Sequence, residues 1–193
     1  MSQREKRSRS RRRREGRTTE CSVFSVRSSE LAALTADCFM KIGVISDTHD
    51  YLDPKVHKLF DGVDHILHGG DVGMPWLVLE LQTIAPVTVV LGNTDEPGLR
   101  YPLTATVALQ GRKFLVHHIV SPTRLEDELG RTIQREKPDV VVFGHTHKPF
   151  CQEINGVLFF NPGYAGKSRF GMERSVAILH LRKTPIRHEF LVL

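Results

Sequence analysis

The sequence predicts an α/β domain on a largely parallel sheet, with an antiparallel addition at its C-terminal end. Three observations carry that prediction. From Met40 onward, short apolar runs alternate with segments of helical or loop character, the order of βαβ units. The runs are β-branched and nearly continuous, as in strands covered on both faces. After residue 150 they follow one another with only turns between, as in hairpins.

In chain order the strands are "KIGVIS" (41–46), "HIL" (65–67), "VTVVL" (87–91), "KFLV" (113–116) and "DVVVF" (139–143). Between them, 75–85 and 122–137 are long enough for helices. Ser121 suits the N-cap of the second, and Pro122 its first position, where no N–H is needed. "CQEI", "VLFFN", "SVAILHL" and "IRHEFLVL" form the antiparallel part, with Asn155–Gly156 as a hairpin turn. Trp76, Leu77, Leu79 and Leu81 read as core.

The 193 residues, 40% hydrophobic and 25% charged, suit one globular domain. The net charge of +5 suggests a nucleic-acid partner until it is located. Residues 1–39 hold ten Lys/Arg against five Asp/Glu, and the rest of the chain is balanced. That Arg/Ser-rich leader lacks apolar periodicity and is expected to be disordered, leaving the domain to residues 40–193. Three accounts of the leader compete: a basic tail touching nucleic acid or acidic partners, a transit-like segment, and upstream sequence attached by a misplaced start. Met40, directly before the first strand, favours the last. Cys21, Cys38 and Cys151 are too few and scattered for a disulfide framework or a CxxC knuckle, and fit a reducing, cytoplasmic setting. No run approaches the roughly 18 consecutive apolar residues of a membrane span.

Each of the five early strands ends in a polar signature. These are Asp47 and His49 in "SDTHD", Asp71 in "HGGD", Asn93 and Asp95 in "LGNTD", His117 and His118 in "VHH", and His145 and His147 in "FGHTH". Open α/β sheets bind ligands beyond the carboxyl ends of their strands, where all five fall. Asp, His and Asn offer the mixed oxygen and nitrogen donors that suit first-row divalent cations, not the thiolates of a structural zinc site. Residues two apart in extended backbone share a face, so Asp47 with His49, and His145 with His147, should project together. The glycines before Asp71, Asn93 and His145 permit tight turns that aim these groups. Any one of these dipeptides alone is an ordinary turn. Five in order supply seven donors, too many for one tetrahedral ion and suited to two. His68 and Asp95 can orient ligands through hydrogen bonds or simply cap turns. His57, His65, His180 and His188 lie outside the pattern and read as surface or packing residues.

Asp47-x-His49, Gly70-Asp71, Gly92-Asn93-Thr94-Asp95, His118 and Gly144-His145-Thr146-His147 resemble the motifs of the calcineurin-like metallophosphoesterases. Within that superfamily the chain is similar to the small single-domain phosphodiesterases, a branch that includes the retromer scaffold subunit. "NPGYAGKSRF" (161–170) resembles the branch's Asn-Pro-Gly-Ser signature, with Arg169 as its arginine. The resemblance covers residues 40 to about 193 and implies a four-layer αββα sandwich of two mixed β-sheets. It implies two divalent ions, manganese first, with iron, zinc or nickel according to supply. One would be held by Asp47, His49 and His147, the other by Asn93, His118 and His145, with Asp71 bridging. The implied reaction is hydrolysis of a small phosphodiester by in-line attack of a hydroxide bridging the ions. The alternative is a scaffold of the same fold acting in protein–protein interaction.

Three positions depart from the pattern. Thr94 stands where many members carry a leaving-group histidine. His117-His118-Ile119-Val120 replaces Thr-His-Gly-His, which makes His117 a competitor of His118. Tyr164 replaces a serine at the expected pocket rim.

Overall fold

The computed structural model describes residues 39–96, 98–125, 128–169, 171–181 and 185–193. Apart from Phe39, the predicted leader lies outside the described residues.

Among the described residues, ten strands form two five-stranded sheets. The first contains β1 (Met40–Ile45), β2 (His65–His68), β3 (Val87–Val89), β9 (Ser175–Leu181) and β10 (Arg187–Val192), in the order β10-β9-β1-β2-β3. The second contains β4 (Thr104–Leu109), β5 (Arg112–His117), β6 (Val140–Val142), β7 (Phe150–Ile154) and β8 (Val157–Asn161), in the order β4-β5-β6-β8-β7. In the first sheet the parallel run β1-β2-β3 ends at the β3 edge, and the antiparallel strands β9 and β10 lie beyond β1. In the second the parallel centre β5-β6-β8 has an antiparallel strand on each side. The α/β class and the four-layer arrangement of two mixed sheets are therefore present.

Side-chain alternation sorts the strands into layers. Ile42, Val44, Phe114, Val116, Val142 and Phe160 meet between the sheets. On the outer face of the first sheet, Ile45 and Ile66 pack against Val56 and Phe60 from α1 (Lys55–Leu59) and its C-cap, and against Leu77 and Leu81 from α2 (Trp76–Gln82). On the outer face of the second, Leu115, Val141 and Phe159 pack against Ile133 of α3 (Glu128–Glu136). No helix among the described residues is long and apolar enough to cross a membrane.

The structure corrects several expectations. The five early strands do not share one sheet: β5 and β6 belong to the second. The four C-terminal runs are two hairpins, β7–β8 on the second sheet and β9–β10 on the first, rather than one addition. Between them the predicted Asn155–Gly156 turn forms β7–β8, with φ of 52° and 79° as a tight hairpin loop requires. A second such turn, Gln110–Gly111, joins β5 to the unpredicted β4, an edge strand whose side chains alternate in exposure instead of forming an apolar run. α1, only five residues long, was also absent from the prediction. Pro122 does not open the described helix Glu128–Glu136: it lies in a turn in which the Ser121 carbonyl accepts from the Arg124 N–H. On α2, Leu77 and Leu81 are core, but Trp76 and Leu79 face outward at 48% and 64% exposure.

Phe60→Ala should therefore lower the urea-unfolding free energy by about 3–5 kcal/mol, and Leu79→Ala by less than about 0.5 kcal/mol. A loss at Leu79 as large as that at Phe60 would contradict the outward placement of Leu79 on α2.

Candidate metal centre

The loops after β1 and β2 extend the parallel pairing beyond the strands. Asp47 N–H donates to the Gly70 carbonyl, His49 N–H to that of Asp71, and Asp50 N–H to that of Val72, at 3.0–3.1 Å. This ladder holds Asp47, His49 and Asp71 side by side. The second sheet reaches the same place: Gly144 N–H donates to the His118 carbonyl, and His145 N–H donates to the Asp47 carboxylate at 3.1 and 3.2 Å.

The local backbone is not extended, as spacing alone suggested. Asp47, His49, Asp71, His145 and His147 all have positive φ, five of the nine such non-glycine residues among those described. Side chains rarely adopt this region, and its concentration here marks a site held in place by its surroundings. Each glycine before a donor has its own reason. Gly70 has φ 93°, whereas a Cβ on Gly92 would overlap Asp71 and one on Gly144 would lie 2.6 Å from Asp47 Oδ2.

All seven predicted donors come together. Asp47, His49 and His147 form one group and Asp47, Asp71 and His118 another, with ligand atoms in each within 4.8 Å of one another. His49 Nε2 lies 3.5 Å from His147 Nε2, which is 3.3 Å from Asp47 Oδ1. Asp71 Oδ2 sits between the halves, 3.8 Å from His49 Nε2 and 3.3 Å from His118 Nε2. Asn93 Oδ1 completes the far side, 3.0 Å from His118 Nε2 and 2.7 Å from His145 Nδ1. His145 and His147 thus reach opposite halves. His117 stands apart, its Nδ1 2.8 Å from Thr104 Oγ1.

His118 Nδ1 donates to the Gly69 carbonyl at 2.7 Å, which aims Nε2 at the centre. Burial opposes its charge, but the Asp71 carboxylate and the Gly69 carbonyl outweigh burial and raise its pKa. Burial likewise favours the neutral form of Asp71, yet hydrogen bonds from His118 and the Thr94 N–H hold its pKa well below the carboxylate range. Both partners therefore favour the charged pair. The set of two buried carboxylates, four imidazoles and one carboxamide fits a first-row divalent cation.

His68 and Asp95 bind loop backbone rather than donor side chains. His68 is fully buried, accepts from Gly70 N–H at Nδ1, and lies 3.0 Å from Thr48 Oγ1 through Nε2. Thr48 Oγ1 in turn donates to the Val72 carbonyl. Asp95 accepts from Gly73 and Gly92 N–H, both at 2.8 Å, and so clips the loops after β2 and β3 together. Asn161, singled out in the sequence only as the start of the Asn-Pro-Gly signature and given no role there, donates through Nδ2 to the Gly144 carbonyl and to Thr146 Oγ1 and fixes the His145–His147 loop. Its signal was an amide ending a buried apolar strand, which needs a partner. Tyr164 is fully buried, not at the rim: its ring lies 4.7 Å from that of His147 and 6.0 Å from that of His49.

The family model described as "Calcineurin-like phosphoesterase superfamily domain" matches residues 40–184. A probable metallophosphoesterase of Methanothermobacter thermautotrophicus is 37% identical over 131 residues, 64% of this chain and 76% of that protein. A phosphodiesterase of Methanocaldococcus jannaschii is 30% identical over 145 residues, 64% of this chain and 83% of its own. Among solved structures, vacuolar protein sorting 29 of Cryptosporidium parvum shares the fold. Its TM-score is 0.62 at 22% identity, covering 81% of this chain and 99% of that one.

Burial, against the pull of Asp47, lowers the His68 pKa to about 4, whereas the unfolded chain protonates near 6.5. Within that window the unfolded state binds more protons, so stability is lost as pH falls from about 6.5 towards 4, by about 3 kcal/mol in total. Urea-unfolding free energies should show this loss, and His68→Gln should reduce the slope. Identical slopes would contradict a neutral His68.

Proposed function

The chain belongs to the calcineurin-like phosphoesterase superfamily, and we propose that within it the protein is a metal-dependent phosphodiesterase acting on a small phosphodiester. The observation that carries this reading is the complete donor set, with Asp71 Oδ2 between His49 and His118. The phosphodiesterase relative supports it.

In this reading Asp47, His49 and His147 hold one divalent cation and Asn93, His118 and His145 a second, with Asp71 shared. Manganese fits this oxygen and nitrogen set, as do iron, zinc and nickel. Two such ions would polarise the phosphoryl oxygens and acidify the attacking water for in-line displacement. The protein's part is to hold the donors fixed before substrate arrives: His118 through the Gly69 carbonyl, Asp47 through the His145 N–H, and Asp71 through the Thr94 N–H. Thr94 is not an ionisable acid near neutral pH, so leaving-group protonation does not rest on this position.

Purified protein should hydrolyse an aryl phosphodiester with Mn2+, lose activity on chelation and regain it on Mn2+ addition. Asp71→Asn should lower kcat/KM by at least about 100-fold. No turnover with any first-row cation, together with no bound metal, would favour the scaffold alternative. His145→Ala and His147→Ala should each weaken a different one of two Mn2+ binding steps in calorimetry, and loss of the same step in both would contradict the assignment.

A further inference from the structure

We infer that Thr94 is a positioning residue that determines which nitrogen of His49 and which oxygen of Asp71 face the metal centre. The inference rests on the metal reading above and gives a role to a residue outside the seven donors. Thr94 is exposed in the loop after β3, yet its backbone and its side chain each meet one of those donors. Its N–H donates to Asp71 Oδ1 at 2.8 Å. That engages one carboxylate oxygen and leaves Oδ2 as the one facing His49 and His118.

The Thr94 hydroxyl oxygen lies 3.3 Å from His49 Nδ1. A neutral imidazole that ligates through Nε2 carries its proton on Nδ1. The acceptor of that N–H sets both tautomer and ring orientation. For His118 the acceptor is the Gly69 carbonyl, which no substitution removes. For His49 the group within reach of Nδ1 is the Thr94 hydroxyl, able to accept that proton and removable by a single change. Consecutive residues of one loop thereby reach both halves of the centre, Asn93 at His118 and His145, and Thr94 at His49 and Asp71.

Thr94→Val keeps the backbone N–H and the side-chain shape and deletes only the hydroxyl, and Thr94→Ser restores it. Two measurements read the result. Ring-nitrogen NMR of the metal-free protein at about pH 8, where an ordinary imidazole is neutral, reports the His49 tautomer. Calorimetric titration with Mn2+ reports affinity. The Nδ1–H tautomer should dominate in the native protein and in Thr94→Ser and give way to a mixture in Thr94→Val. Mn2+ affinity should fall about tenfold in Thr94→Val and recover in Thr94→Ser. An unchanged tautomer or an unchanged affinity in Thr94→Val overturns the inference, as does a Thr94→Ser variant that behaves like Val. A native protein that binds no Mn2+ defeats the metal reading instead, and the tautomer measurement then decides the part of Thr94.

Discussion

Asp47 and Asp71 are buried, at 0% and 2% exposure, where the loops of the two sheets meet. Two anions taken out of water at one place are costly unless positive charge and hydrogen-bond donors face them. Among the described residues, the groups at ion-pair distance from these carboxylates are His49, His118 and His147. Much of the surrounding structure answers this requirement. Backbone N–H groups of Thr94 and His145 point at the carboxylates, and the glycines nearby leave room for them. A divalent cation held there would complete the compensation that imidazoles and amides begin.

Holding such a cluster requires backbone that side chains disfavour, at roughly 1–3 kcal/mol per strained residue. The buried apolar core between the sheets supplies the frame. His68, Asp95 and Asn161 then bind the loops to one another instead of binding the donor side chains. Tyr164, fully buried, packs its ring against those of His147 and His49. The site is shared between two sheets, so its geometry depends on how they pack. A change in the inter-sheet core far from any donor would therefore be felt at the centre.

The candidate donors stood out in the sequence because each followed an apolar run and ended it with a polar group able to bind a cation. Residue-level pattern also located the Asn155–Gly156 turn, whose conformation is local. Sheet partition was not legible, since continuous apolar runs look alike whichever sheet buries them. β4 escaped because an edge strand shows alternation, and α1 because five residues carry too little periodicity. The convergence of Asp47 with His49 was expected from extended backbone and arises from left-handed backbone instead. Period-2 reasoning applies only while the ladder lasts. The resemblance favoured His118 over His117, and the physical reason for their separation is that Gly69 takes the His118 ring and Thr104 the His117 ring.

The most direct test is a crystal structure of the Mn2+-soaked protein with anomalous data at the manganese edge. The account predicts two peaks about 3.5–4 Å apart, with Asp71 between them, His49 and His147 at one, and Asn93, His118 and His145 at the other. A peak ligated by His117 in place of His118, or no peak among these residues, would contradict it.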